Sequence, residues 1–305
     1  MEWSFMVSRL SAKSEEETEE VHKPSKATQL FIAWRKLKKS KLAVIGGGIV
    51  LVFLLVALLA PIIAPYNPRQ INQGMEKLPP STKFWLGTDN LGRDVFSWIV
   101  WGARTSLYVG FSAVLIELLV GLSIGMIAGY FGGIIDEILM RITDVVLCLP
   151  TIILLIVVLS MFEERGIHTT IIVMGFLGWP FMARVVRSAF LSLRESTYVE
   201  AATSMGATNW RIILHHILPN TLSTIIVLVT MDLPWYIFYE ATLTFLGFGD
   251  PLTVSWGILM EVGRPYLRTA WWITTFPGLA IFFASVGFNI FGDGLRYALD
   301  VKTRG

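Results

Sequence analysis

Six stretches of the chain are apolar enough to cross a lipid bilayer, and polar segments of very different length separate them. The first, Leu42–Ile63, carries no charge, and a helix needs about 20 such residues to span a hydrocarbon core of ~30 Å. Pro61 and Pro65 bring it to an end. The others are predicted at about Thr105–Gly129, Thr143–Phe162, Thr169–Ala183, Leu218–Tyr239 and Trp271–Leu295, with Pro150 kinking the third. The chain therefore divides into a polar tail (1–41), a first transmembrane helix (42–64), a polar loop (65–104), a core of five transmembrane helices (105–300) and a short tail (301–305). The predicted fold class is an all-α membrane protein with six transmembrane helices. Glycine recurs at every fourth position in Gly121, Gly125 and Gly129. Such a stripe lets another helix approach closely, whereas lipid gives no reason to use glycine.

The amino-terminal tail begins with an acidic run at Glu15–Glu20, which has almost nothing to bury and is expected to be disordered. Its basic end, Leu30–Lys41, mixes Arg35, Lys36, Lys38, Lys39 and Lys41 with Phe31, Ile32, Trp34 and Leu37. That pattern suits a helix lying among lipid headgroups. The tail is too long and the apolar run after it too extended for a signal peptide, so Leu42–Ile63 reads as an anchor.

Tyr198–Asn220 lies between two apolar runs and is too polar for hydrocarbon. Tyr198–Met205 reads as a short helix, Gly206 as the left-handed break that ends it, and Thr208 or Asn209 as the cap of the next helix. The segment is a helix–turn–helix elbow able to present a face to a soluble partner, or else an ordinary connection between two spans.

Composition narrows the class. The chain is 54% hydrophobic and 16% charged, where a soluble domain carries about 25% charge, and its mean hydropathy is +0.61. A net charge of +2 gives no case for nucleic acid. The lone cysteine, Cys148, allows no internal disulfide and reads as a small buried hydrophobe. With the amino terminus inside, the inner segments hold 17 Lys and Arg and the outer ones 8. The positive-inside rule then places both termini and the elbow in the cytoplasm.

Charges inside apolar runs must face a cavity, a partner helix or the interface. Glu117 reads as a hydrogen-bonding group between helices. Asp232, deep in its run beside Pro234, is the candidate for lining a pore and contacting cargo. Arg184 and Arg187 share one side of a helix end, suited to snorkelling toward lipid phosphates or to acidic groups on a partner. His215 and His216 point about 100° apart on a helix and make a poor chelating pair. No metal site and no catalytic residue are expected. The block Gly87-Thr88-Asp89-Asn90-Leu91-Gly92-Arg93-Asp94 does not meet the EF-hand pattern and reads as a turn-rich loop.

Three sets of residues resemble one family. Glu200-Ala201-Ala202, Gly206 and Leu218-Pro219 are similar to the EAA loop of ABC-importer permeases, with His216 where isoleucine is usual. Gly87, Thr88, Asp89, Gly92, Arg93, Asp94 and Ser97, continued by Gly102, Arg104, Ser106 and Leu107, resemble the signature of the peptide and nickel branch, with Trp98 where arginine is common. Glu240-Ala241-Thr242-Leu243-Thr244-Phe245-Leu246-Gly247, Phe276-Pro277-Gly278-Leu279 and Asn289-Ile290-Phe291-Gly292-Asp293-Gly294-Leu295-Arg296 resemble further segments of that branch. Tyr297 stands in for its usual aspartate and Val301 for its proline.

The resemblance implies the type I importer permease fold with an extra amino-terminal helix, and a loop (190–218) that couples to ATPases. Glu200, Ala201, Ala202, Gly206, Leu218 and Pro219 would be its coupling residues, and Glu240 would be structural. It implies two ATP-binding subunits, a homologous second permease, an extracytoplasmic substrate-binding protein and peptide cargo, with nickel or oligosaccharides as alternatives. The chain has no GxxxxGK[ST] phosphate loop, so ATP and magnesium would sit on the partner ATPases. Readings from other classes are an ion-coupled secondary transporter using Glu117 and Asp232, and a membrane scaffold for a soluble enzyme.

Overall fold

The computed structural model describes residues 34–163 and 166–299. The acidic run of the tail, Phe31, Ile32 and the segment 301–305 lie outside them. Among the described residues the chain is helical, with a lone bridge between Thr88 and Asp94. Within the described residues, five helices are long and apolar enough to cross a membrane, or six if one bent pair counts as a span.

Helix α1 (Lys41–Leu58) starts where the Ser40 side chain accepts from the Ala43 amide, and a short α2 (Ala60–Ile63) follows it. Helix α3 (Val95–Phe131) begins ten residues before the predicted span because Asp94 caps it, accepting from the Ser97 amide at 2.8 Å. It stops at Gly132, where φ is +65°. After an elbow between α6 (Ile167–Arg194) and α9 (Leu218–Phe245), the described residues close with α10 (Trp256–Gly263) and α11 (Trp272–Leu299).

The third span departs from the expectation of one kinked helix. It is two helices, α4 (Gly133–Leu147) and α5 (Thr151–Ser160), set at 87° to each other. The physical reason lies in the charges of α4. Arg184 donates to Asp144 at 2.7 Å, and Arg187 makes a two-pronged pair with Asp136. These pairs hold α4 against the end of α6 and leave Ile134, Ile138, Ile142 and Val145 exposed on its other side. A helix so divided suits a membrane surface, while α5, apolar along its length, carries the bent span onward to α6, which runs parallel to α3. Pro150 then opens α5, its carbonyl accepting from Ile153 and Leu154. Two expectations are corrected. Arg184 and Arg187 pair with acids of their own chain rather than lipid phosphate, and Cys148, at the bend, is exposed rather than buried.

The most extensive packing joins α3 to α6. A Cβ on Gly121 would stand 2.7 Å from the Met182 side chain, one on Gly125 2.6 Å from the Ala183 carbonyl, and one on Gly129 2.7 Å from the Arg187 carbonyl. Gly175 answers from α6, where a Cβ would meet the Ala113 carbonyl at 2.6 Å. The stripe therefore marks a helix contact, as its spacing predicts. Helix α1 docks on α11 in the same manner, with Gly46 against Phe291 and Gly294 against Ala43.

Gly125→Val should lower the unfolding temperature and the yield of folded protein, since overpacking of this kind costs about 1–3 kcal/mol. Gly48→Val is the matched control, because a Cβ at Gly48 meets nothing within 4 Å. Heat unfolding of the two detergent-purified variants decides whether the stripe is a packing surface.

Candidate functional site

At one end of the bundle, the loop before α3 is organised by its Asp and Gly residues. Gly87 and Gly92 take φ of +80° and +73°, values that favour glycine. The fully buried Asp89 accepts from the amides of Leu91 (2.8 Å) and Arg93 (2.9 Å) and pairs with the Arg93 guanidinium at 2.5 Å. That guanidinium lies 4.2 Å from the centre of the Trp98 ring. Thr88 holds the loop from inside, its hydroxyl donating to the Met75 carbonyl and accepting from the Leu78 amide.

Three indoles then tie this block to the far end of the chain. Trp272 donates to the Thr88 carbonyl at 3.1 Å, Trp98 to Ser255 at 2.9 Å, and Trp256 to Ile99 at 2.9 Å. The block is a brace. Trp98, in the place where arginine is common, is buried and forms one of its ties. Glu240 lies beside it, buried, accepting from Ser106 at 3.1 Å and Thr244 at 3.3 Å and reached also by Ser255. It joins α3, α9 and the start of α10.

At the other end is the elbow. Helix α7 (Thr197–Ser204) closes with two backbone bonds, Gly206 to the Thr203 carbonyl and Ala207 to the Ala202 carbonyl, across a Gly206 φ of +81°. This paired closure is the Schellman arrangement, and it needs a residue that tolerates the left-handed region. Thr208 stands at the start of α8 (Asn209–Arg211) without a side-chain cap bond. A wide π-helical turn (Ile212–Ile217) follows. Its cause is Pro219, which has no N–H for the His215 carbonyl and whose ring would clash with it in a regular α-helix. The His216 carbonyl accepts from the Asn220 amide group at 2.6 Å.

The EAA residues divide by face. Glu200 and Ala201 are exposed. Ala202 and Val199 are buried with Ile212, Ile213 and Ile217 against Met182, Val186 and Phe190 of α6. Leu218 and Pro219, half-buried, open α9. On the outer side Met205 (81% exposed), Trp210 (56%) and Leu214 (45%) form an apolar surface. Sequence reading missed these three. Their alternation with the buried isoleucines was the available signal. The Tyr130 hydroxyl donates to Asn209 at 3.0 Å, anchoring the elbow to the end of α3.

Midway between the ends, Glu117 of α3 and Asp232 of α9 lie near enough for their charges to interact, and the Tyr236 phenol lies beside the Glu117 carboxyl under Gly178. The residues of the last of the family-like segments, Asn289, Gly292 and Asp293, act otherwise. Gly292 gives room to Met231, while Asn289 and Asp293 are exposed, Asn289 donating to the Ser285 carbonyl at 3.0 Å.

Residues 121–305 match the family described as the binding-protein-dependent transport system inner membrane component. Residues 28–80 match the amino-terminal transmembrane domain of oligopeptide transport permease C. The chain belongs to the binding-protein-dependent inner-membrane component family. This permease is 41% identical to the dipeptide transport system permease protein DppC of Bacillus subtilis, over 97% of this chain and 92% of that one. It is 38% identical to the glutathione transport system permease protein GsiD of Pectobacterium atrosepticum, over 89% and 90%. In fold it is similar to a chain of the MetNI methionine ABC transporter in its inward-facing conformation. The TM-score is 0.56 at 22% identity, covering 67% of this chain and 97% of that one. The permease is thus a multi-pass inner-membrane protein with the fold of an ABC-importer permease.

Asp89→Ala tests the brace. Removing one partner of a buried charge pair costs about 3–5 kcal/mol, and here it also frees two loop amides. The permease should melt at a lower temperature, and protease should cut within residues 65–94 first. An unchanged digestion pattern would show that the block is not what holds the loop.

Proposed function

We propose that this permease forms half of the translocation pathway of an ATP-driven importer of peptides, and that its elbow is where ATPase subunits act on it. The observation that carries the reading is the elbow's two-sided build. Its inner face is continuous with the buried cluster of α6, and its outer face offers Glu200, Met205, Trp210 and Leu214 to a partner. A surface of that composition, on the end of the bundle rich in Lys and Arg, suits a cytoplasmic protein. The names of the relatives support peptide cargo over nickel or oligosaccharide.

The assembly would contain two ATP-binding subunits, a homologous second permease and an extracytoplasmic binding protein, with ATP and magnesium held by the ATPases alone. Closure of the ATPases on ATP would draw on the elbows and open the bundle outward to receive cargo, and hydrolysis would reset it. Only a contact that differs between the two states can shift such an equilibrium. Asp232, half-buried beside Pro234 in the middle of α9, is the residue of this chain proposed to line the path.

Gly206→Asp and Glu200→Lys test the elbow. A side chain at the left-handed Gly206 costs roughly 1–2 kcal/mol, and open space around it makes that cost one of backbone shape rather than collision. In the reconstituted complex both variants should lose most ATP-driven uptake and recover less ATPase, while membrane levels of the permease stay near wild type. Gly206→Asn, which tolerates the same backbone region and adds no charge, should keep most activity, so the loss in Gly206→Asp reads the charge placed on the docking face. Normal uptake by both disruptive variants would remove the elbow from the coupling role.

Orientation is tested separately with Cys148 first replaced. A cysteine at Asn72 should react with an impermeant thiol reagent applied outside, and one at Asn209 should not. The reverse pattern would put the elbow on the wrong side for ATP.

A further inference from the structure

Glu117 is only 3% exposed, and its Oε2 has no hydrogen-bond partner. The Oδ2 of Asp232 has none either. Gly178 of α6 makes room beside them, since a Cβ there would collide with the Tyr236 hydroxyl. Among the described residues no Lys, Arg or His forms an ion pair with Glu117 or Asp232. Glu240 shows how this chain satisfies a carboxylate that serves structure alone, with hydroxyls from three segments around it. The central pair is left open instead.

Depth matters as much as chemistry. Glu117 lies fourteen residues from Phe131, and Asp232 fourteen from Leu218, each counted to the elbow end of its own helix. At ~1.5 Å per residue both stand about 21 Å from that end, halfway through the bundle. Two acids at that depth are costly unless a cavity, a shared proton or a cation offsets them, and a cation does so with both still charged. The same cost falls on an ammonium group carried through an apolar bundle, so each is the natural partner of the other.

We propose that Glu117, Asp232 and Tyr236 form a subsite at mid-depth that accepts the ammonium group of passing cargo, which for a peptide is its free amino terminus. The ammonium offers three donors. Oε2 of Glu117, Oδ2 of Asp232 and the Tyr236 phenol oxygen supply three acceptors from two helices. Gly178 keeps the phenol in place. The subsite rests on the importer reading and deepens it by naming the cargo group recognised within the membrane.

The test uses the complete importer complex in liposomes, supplied with a tryptic casein digest and with the same digest N-acetylated. Uptake is followed by mass spectrometry for wild type, Glu117→Gln and Asp232→Asn. Each variant's ratio of free to acetylated uptake is divided by that of wild type, so that selection by the binding protein cancels. The ratio should fall roughly tenfold, the worth of one lost charge-assisted hydrogen bond. Asp232→Glu should restore part of it. If acetylated peptides are not carried at all, the fall is read on the free-amine digest against complex recovery. Should Glu117→Gln fail to assemble, the half-buried Asp232→Asn decides. Replacing sodium by choline should leave wild-type uptake intact. Loss of uptake there would give the site to an inorganic cation and overturn the assignment. Unchanged ratios in both variants would overturn the subsite while leaving the importer standing. Absence of ATP-driven peptide uptake by wild type would remove the peptide-importer reading and the subsite together.

Discussion

Backbone contact between α3 and α6 is the constraint on which the rest of the molecule depends. Gly121, Gly125 and Gly129 let α6 lie directly on α3, and Gly175 returns the contact from the other side. Without a hydrophobic driving force between helices in lipid, such close van der Waals fit is what selects one arrangement. It fixes Gly178 over the Glu117–Tyr236 pair, and it carries Arg184 and Arg187 to the place where α4 can pair with them. It also delivers Phe190, at the far end of α6, as the floor under the elbow.

The two ends of the bundle are built for opposite purposes. The Asp89 block is stitched to segments about 157 to 184 residues away by three indole donors, an arrangement that resists movement. The elbow is attached by its inner isoleucines and by one hydroxyl bond from Tyr130, and it leaves its other face free. A rigid cap at one end and a handled joint at the other suit a device that is moved from the joint. The pairing of α4 with α6 adds a lateral member that any tilt of α6 would carry along.

Much of this was legible in the sequence because it depends on local spacing. Apolar runs gave the long helices, a four-residue glycine period gave the α3 contact, and a glycine after a short helix gave the left-handed turn at Gly206. What escaped depends on partners distant in the chain. Pro150 reads as a kink, whereas the structure starts a new helix there, a break that goes with Arg184 and Arg187 finding their acids 40 and 51 residues away. Cys148 looked buried because its neighbours are apolar, yet the bend turns it outward. The Asp89 block announced itself as a signature, while its task as a brace required knowing where Trp98 and Trp272 point.

The wide turn at Ile212–Ile217 has a mechanical consequence. A π-helical turn holds one residue more than the α-helical turn it replaces, so the elbow's outer face and α9 are out of step by about 100° of rotation. The azimuth at which Trp210 and Leu214 face a partner is therefore set by Pro219 rather than by the helix as a whole. Because Pro219 bars a regular α-turn here, the offset is locked, and the face keeps one bearing relative to the axis of α9. The joint is in this sense a rotary index, with one notch built into the chain.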